Sequence, residues 1–252
     1  MYVYKMNILN KKVRRRWIYL PIEVKARELL PKLFLGAKAI KAGFGIFLGR
    51  SGMNISQDDF PKGIYFDKCI SRHKIKFHEY LVNTLGNRLV SFDEEGLLYK
   101  DETELITNRI SQKSIDLSDF IFAWGEEQAM LFQKNYSVKS KLVISGGPRL
   151  DVWRPEFTPL FQSKIDELKE RYGKFIFFPS NWGYDPIEKQ NGVDPYHVHP
   201  QSLLGQIRSA FLTLIKEISS AFPDRTLIVR PHPFEVPEYW KKITPTFPDN
   251  VT

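Results

Sequence analysis

A single cysteine, Cys69, stands in the 252 residues of this chain, so it carries no internal disulfide framework and a reducing compartment is its natural setting. Long hydrophobic runs are missing as well. No stretch reaches the ~18–20 apolar residues of a membrane-spanning helix. The amino terminus, MYVYKMNILNKKVRRRWIYL, lacks the ~7–15-residue apolar segment of a secretory signal. The cytoplasm is therefore the expected location. No low-complexity tract occurs, and no period of ~20–50 residues recurs, which excludes a repeat array.

Several chemical signatures are absent too. There is no G-x-x-x-x-G-K-[ST] loop and no G-x-S-x-G elbow. The glycines at 43, 45 and 49 lie before and through an apolar run, so they do not form a dinucleotide fingerprint opening a helix. His197 and His199 make an H-x-H pair without a third ligand at metal spacing, so no metal site is expected. Nucleic acid is not an expected partner: no zinc-ligand spacing, RNP-like aromatic motif or groove-sized basic helix is present.

What is present is an ordinary globular balance, 42% hydrophobic and 26% charged, with an excess of Lys and Arg (37) over Asp and Glu (29) that gives +8. Part of that excess lies in KKVRRR, Lys11 to Arg16. It reads either as a solvated arm or as loose contact with anionic headgroups, each basic residue adding ~1 kcal/mol.

Apolar runs alternate with helical patterns as in βαβ units. Strands are expected at 16–23, 44–49, 63–68, 88–96, 119–125 and 141–151. Helices are expected at 24–43 (broken or bent at Pro31), 72–86 (ending on Gly86) and 126–135. After Arg154-Pro155 a connecting helix, 157–173, leads to a strand at 174–181, a long loop at 182–201, a strongly amphipathic helix at 202–221 and a strand at 225–233. The predicted organisation is a basic arm (1–15), a first Rossmann-like α/β domain (16–155), a linker helix (156–173) and a second Rossmann-like domain (174–252). The second is incomplete at its carboxyl end, as in the amino-terminal part of a longer protein, because only two or three of the ~4–6 strands of a doubly wound sheet are there.

The polar motifs fall just past predicted strand ends, where open α/β sheets hold ligands. SFDEEGL sets Asp93, Glu94 and Glu95 side by side. Like charges this close raise one another's pKa, which prepares an acid or base; the alternative is a solvated turn opening a helix. ISGGPRLD offers Gly146 and Gly147 for close backbone approach and Arg149 for a carboxylate or phosphate, or else forms a tight turn braced by an Arg–Asp pair. FFPSNWGYDP supplies Ser180 and Asn181 as side-chain donors and Asp185 as a carboxylate, in residues that also serve turns. In RPHPFE, prolines flank His232, and Pro233 follows it. A histidine fixed at a strand end can donate to, or protonate, a leaving phosphate; the alternative is a purely structural strand-end histidine.

Taken in order, WIYLPIEVKARELLPKLFLG, LGRSG, PKGIYFDKCIS, SFDEEGLLY, FAWGEEQ, ISGGPRLDVWRPEF, FFPSNWGY and RPHPFE resemble the bacterial surface-carbohydrate (surface polysaccharide) biosynthesis proteins. These are glycosyltransferases of the two-Rossmann, GT-B-like kind, related to the retaining β-Kdo transferases and more loosely similar to sialyltransferases. The resemblance implies transfer of a sugar, Kdo-like, from a CMP-linked donor to a glycan or lipid-linked acceptor in capsule or O-antigen assembly. On this reading the basic arm helps hold the protein in peripheral contact at the inner face of the plasma membrane, and no cofactor beyond the nucleotide-sugar is expected, since histidine and helix amino-termini can neutralise a single phosphate. The resemblance places His232 and Pro233 at the CMP phosphate, makes Asp185 the counterpart of the family's nucleophile, and turns Asp93, Glu94 and Glu95 toward the crevice from the other domain. Two departures stand out: SNWGYD replaces a glutamine-and-aspartate pattern, and Gly146-Gly147-Pro148-Arg149 replaces G-N-P-R, losing one side-chain hydrogen-bonding group. A CDP-glycerol-type polyol-phosphate transferase and a non-catalytic two-lobed sugar- or nucleotide-binding subunit are the alternative readings.

Overall fold

The computed structural model describes residues 4–5, 16–50, 60–97, 99, 101–138, 141–181, 199–232, 235 and 237–252. The chain divides into two compact units, Met1–Thr158 and Pro159–Thr252.

The first unit is built on six parallel strands: β2 (Trp17–Ile22), β3 (Gly45–Arg50), β4 (Ile64–Asp67), β5 (Arg88–Phe92), β6 (Phe120–Ala123) and β7 (Leu142–Ile144). Their spatial order is β3-β2-β4-β5-β6-β7, and β1 (Tyr4–Lys5) joins antiparallel beside β3. The backbone of Tyr4 and Lys5 thus belongs to the sheet, although the sequence suggests a basic arm there. Helices flank the sheet, an α/β arrangement compatible with a Rossmann-like fold. The chain reverses its direction of winding at β2: β3 lies on one side, and the chain then crosses to lay β4 on the other. The β2–β4 ladder registers Ile18 with Ile64 and Tyr19 with Tyr65. The carboxyl ends of these two strands feed connections that run apart, and such a switch point is where open parallel sheets form a ligand crevice.

Both faces of the central strands are buried, which explains their near-continuous apolar runs. On one face Tyr19, Phe47, Tyr65 and Leu89 pack with Leu81 and Leu85. Tyr19 stacks on Phe47 at 4.9 Å, and its hydroxyl donates to the Pro61 carbonyl. A second cluster joins Ile70, Leu105, Ile110, Ile115, Ile121, Leu131 and Phe132. Each such side chain contributes roughly 1.5–3 kcal/mol when fully buried.

Helix α1 (Lys25–Lys41) continues across Pro31, so of the expected break or bend there the break does not occur. Proline removes one intrahelical donor, but this helix packs on β2, β3 and the short helix Pro148–Asp151. Residues 72–86 form one helical segment of changing pitch, 3-10 then α then π, ending on Gly86 at φ +66°. Residues 97–118 carry no predicted element, yet they hold a π-helical turn (Glu104–Arg109) and a short helix (Gln112–Leu117). The wider turn has no 3.6-residue period to be read.

In the second unit β8 (Phe175–Pro179) and β9 (Thr226–Arg230) pair in parallel through five registered positions, and Leu227 bridges Val251 in the same sense. The crossover helix, Leu203–Ala221, is capped by the Ser202 hydroxyl and packs Phe211 edge-on to Phe178 at 5.7 Å. Asn250 closes its far end. Its side-chain amide lies 3.3, 3.2 and 3.0 Å from the carbonyls of Ser219, Phe222 and Arg225, and so ties the last turn of the helix to the loop that leads into β9.

Candidate functional site

The run Asp93-Glu94-Glu95 leaves β5 as a tight turn, with the Gly96 N–H donating to the Asp93 carbonyl at 3.0 Å. A Cβ on Gly96 would lie 2.6 Å from Asp93 Oδ2, so glycine is needed for the turn to close. Trp124 Nε1 donates to the Asp93 carbonyl (2.7 Å) and Gln128 Nε2 to the Gly96 carbonyl (3.0 Å), which pins the turn from the β6 side.

The three neighbouring carboxylates have three different environments. Asp93 is buried and receives two hydrogen bonds from Arg109, each 2.6 Å, in a fork-to-fork pair. Glu95 is exposed and lies between Arg27 (3.2 Å) and Arg109 (3.7 Å). Glu94 is buried, and its carboxyl has no hydrogen-bond partner among the described residues. Burial pushes its pKa up, the nearby Glu28 adds to the rise, and the charges of Lys32, Arg149 and Lys68 offset it only in part. Of the three, Glu94 is the one whose carboxyl has no hydrogen-bond or ion-pair partner among the described residues, and burial biases it toward holding a proton.

Glu94 is tied to the switch point, since its N–H donates to the Lys68 carbonyl at 2.9 Å. Lys68 follows β4, and its ammonium reaches Glu28 Oε1 (2.9 Å) and Glu23. Glu28, fully buried in the first turns of α1, also accepts the N–H groups of Glu23 (2.8 Å) and Val24 (3.2 Å). Burial alone would raise its pKa, but these N–H groups and Lys68 prevail and hold it down at about 2. Lys32, one turn on, donates to the Pro21 carbonyl, and burial lowers its pKa. Beneath this layer Asp67 takes His78 Nε2 (2.8 Å) and Lys74 Nζ (2.8 and 3.0 Å), so the end of β4 is anchored from below.

Across from α1, the Gly146–Arg149 stretch follows β7. Gly146 has φ +69°, in the left-handed region that favours glycine. A Cβ on Gly147 would come within 2.1 Å of the Trp124 ring, which itself packs on Phe92 with centroids 4.8 Å apart. The glycine pair therefore lets this backbone lie directly on the tryptophan that pins the acidic turn. Arg149 is half-buried and makes no hydrogen bond or ion pair with other described residues, while its charge acts on Glu94. Asp151 pairs with Arg154 (2.8 Å) rather than with Arg149. Asp93, Glu94, Glu95, Gly147 and Arg149 are thus connected through Trp124 and the switch-point charges.

In the second unit, Ser180 and His232 follow β8 and β9 at the carboxyl edge of the parallel pair. The buried Ser180 hydroxyl lies 2.7 and 2.8 Å from the carboxylate oxygens of Glu235, which also accepts Trp240 Nε1 at 2.7 Å. Ser180 thus ties the two strand ends together through a residue that sequence reasoning passed over. Asn181 is exposed beside it. His232 is half-buried, and its carbonyl accepts the Glu235 N–H at 2.9 Å. His199 Nδ1 accepts the Gln201 N–H (3.2 Å) at the start of the long helix. Asp185, Pro233 and His197 lie outside the described residues, as do Lys11 to Arg15 of the basic stretch.

Glu28, Lys32, Lys68 and Arg109 were not among the expected site residues. The faint signal for the first two was an i, i+4 Glu–Lys pair with apolar neighbours. Lys68 and Arg109 find partners 40 and 16 residues away, which no local pattern reports.

Among the described residues, no helix is long and apolar enough to cross a membrane. The chain matches no family model, and no curated protein is significantly similar to it.

Proposed function

We propose that the protein is a GT-B-like glycosyltransferase of surface-polysaccharide assembly, moving a Kdo-like sugar from a CMP-linked donor to a glycan hydroxyl. The observation that carries this reading is Glu94: a buried carboxyl without a hydrogen-bond partner among the described residues, its pKa raised, just past β5 and tied by its N–H to Lys68 at the neighbouring switch point of a parallel sheet. Such a group suits a general base for an acceptor hydroxyl. Arg149, which makes no hydrogen bond or ion pair with other described residues, supplies positive charge of the kind a leaving phosphate requires, and the family resemblance gives His232 a hydrogen bond to that phosphate.

In the proposed step the acceptor oxygen bonds to the anomeric carbon as its proton passes to Glu94. The bond from that carbon to the phosphate oxygen breaks, and CMP leaves with the electron pair. Direct displacement of this kind inverts the anomeric centre. A nucleophilic Asp185, as the family resemblance implies, would divide the reaction into two steps and retain it, so product stereochemistry separates the two roles.

The test is calorimetric titration of the chain with CMP, CDP, UDP and GDP, wild type against His232→Ala. Tight CMP binding, weakened at least tenfold in the variant, supports the reading. Preference for CDP redirects it to polyol-phosphate transfer, and preference for UDP or GDP to a hexose donor. Absence of nucleotide binding overturns it in favour of a non-catalytic sugar-binding subunit. Glu94→Gln is expected to leave nucleotide affinity unchanged and to lower transfer by ~10²–10⁴-fold.

A further inference from the structure

A cavity of about 260 Å³ opens within the first unit, beside the acidic turn, at the carboxyl ends of β4 and β5. Its lining is mixed, more polar than apolar, with Tyr99 and Leu105 beside the polar side chains. One wall is the 3-10 turn after β4, where the Ser71 hydroxyl accepts the His73 N–H at 3.3 Å and fixes the start of the turn. The other wall is the π-helical turn Glu104–Arg109, whose Ile110 N–H donates five residues back to the Leu105 carbonyl at 3.0 Å. Arg72 Nη2 donates to the Ile110 carbonyl (2.7 Å) and clamps the two walls together. Glu104, Leu105, Asn108 and Arg109 all line the cavity, so the wider turn brings two adjacent pairs, four residues apart, to one surface. A π-helical turn of this kind recurs at functional sites.

We propose that this cavity binds one neutral, polyhydroxylated sugar ring. Its size, just under the ~300–1,000 Å³ of drug-sized sites, suits a single small polar ligand. The side chains of His73 and Asn108 make no hydrogen bond with other described residues, although both line the cavity. Glu95 and Glu104 supply acceptors, and together these groups match adjacent hydroxyls, which both donate and accept. An anionic ligand fits poorly, because Arg109 is already committed to Asp93 and two carboxylates share the lining. Glu95 borders the cavity and adjoins Glu94. On the transferase reading, on which this identification rests, the ring is the terminal residue of the acceptor, delivered to the base from the β5 side.

The experiment is a ligand-detected NMR titration of the full chain with glucose, galactose, N-acetylglucosamine and glucuronate, without nucleotide. Saturable binding of at least one neutral pyranose is expected, with Kd of order ~1–10 mM, the range of a few hydrogen bonds without large apolar burial. Asn108→Ala and His73→Ala, both at exposed positions and checked for unchanged thermal unfolding, are expected to weaken it at least fivefold. No saturable binding, equal binding by the variants, or glucuronate binding as tightly as the neutral sugars each overturns the proposal. Because nucleotide is absent, loss of the sugar site and loss of the transferase reading are scored separately.

Discussion

Arg109 donates from Nε and Nη2 to the two carboxylate oxygens of Asp93, both at 2.6 Å, across sixteen residues of chain. This pair holds the acidic turn against the π-helical segment and leaves Glu94 as the carboxyl without a hydrogen-bonding partner. A planar fork on a buried carboxylate is a geometry that lysine cannot reproduce. Arg109→Ala is expected to cost about 3–5 kcal/mol, because Asp93 is left charged and buried. Arg109→Lys should recover only part of that loss. Urea unfolding of the two variants measures both.

Glu94→Gln should behave in the opposite way. The folded state raises the pKa of Glu94, so the native protein holds this proton more firmly than the unfolded chain does. The wild type therefore loses stability relative to the variant as pH rises through the ordinary carboxylate range and beyond, up to the raised folded value. Unfolding at pH 4 and at pH 7 should show Glu94→Gln gaining on the wild type at the higher pH. An advantage for the wild type at neutral pH would mean that Glu94 is a structural ion-pair member.

Glu28 carries the reverse sign. Its pKa is held at about 2 against an ordinary value of 4.5, a difference of ~3 kcal/mol in favour of the folded state. That contribution is complete above pH 4.5 and is lost as pH falls toward 2. Glu28→Gln should thus be about 3 kcal/mol less stable than the wild type at pH 6 and nearly level with it at pH 2. Parallel denaturation curves at the two values decide it.

Gly147→Ala tests the support of the turn rather than its charges. The added methyl would meet the Trp124 ring at 2.1 Å, and that ring cannot move without releasing the Asp93 carbonyl and its packing on Phe92. A loss of about 1–3 kcal/mol is expected, with a shift in tryptophan fluorescence. Gly146→Ala has open space but a φ of +69°, so it should cost backbone strain without the fluorescence change.

The alternation of short apolar runs with helical patterns was enough to place the parallel strands of both units, though not β1, because burial on both faces writes a continuous hydrophobic run that needs no partner to be recognised. The run Leu89 to Phe92 and the turn at Gly96 were legible on that ground, as was the position of His232 just past Val229. The π-helical turn at Glu104–Arg109 was not, since its spacing matches no regular period. The strand order β3-β2-β4-β5-β6-β7 likewise depends on pairings between distant segments.

By itself, then, the sequence determined the class of fold and the strand ends at which polar residues gather. Only the tertiary structure decided what those residues do there. Asp93, Glu94 and Glu95 are equivalent as letters, and they become a clamp, a buried acid and a surface ion-pair residue because Arg109, Arg27 and the Lys68–Glu28 pair arrive from elsewhere in the chain. Ser180 became a tie to Glu235, fifty-five residues on, for the same reason. Local patterning reports burial, while the charge state and hydrogen-bonding of a side chain depend on which distant groups the fold brings within a few ångströms.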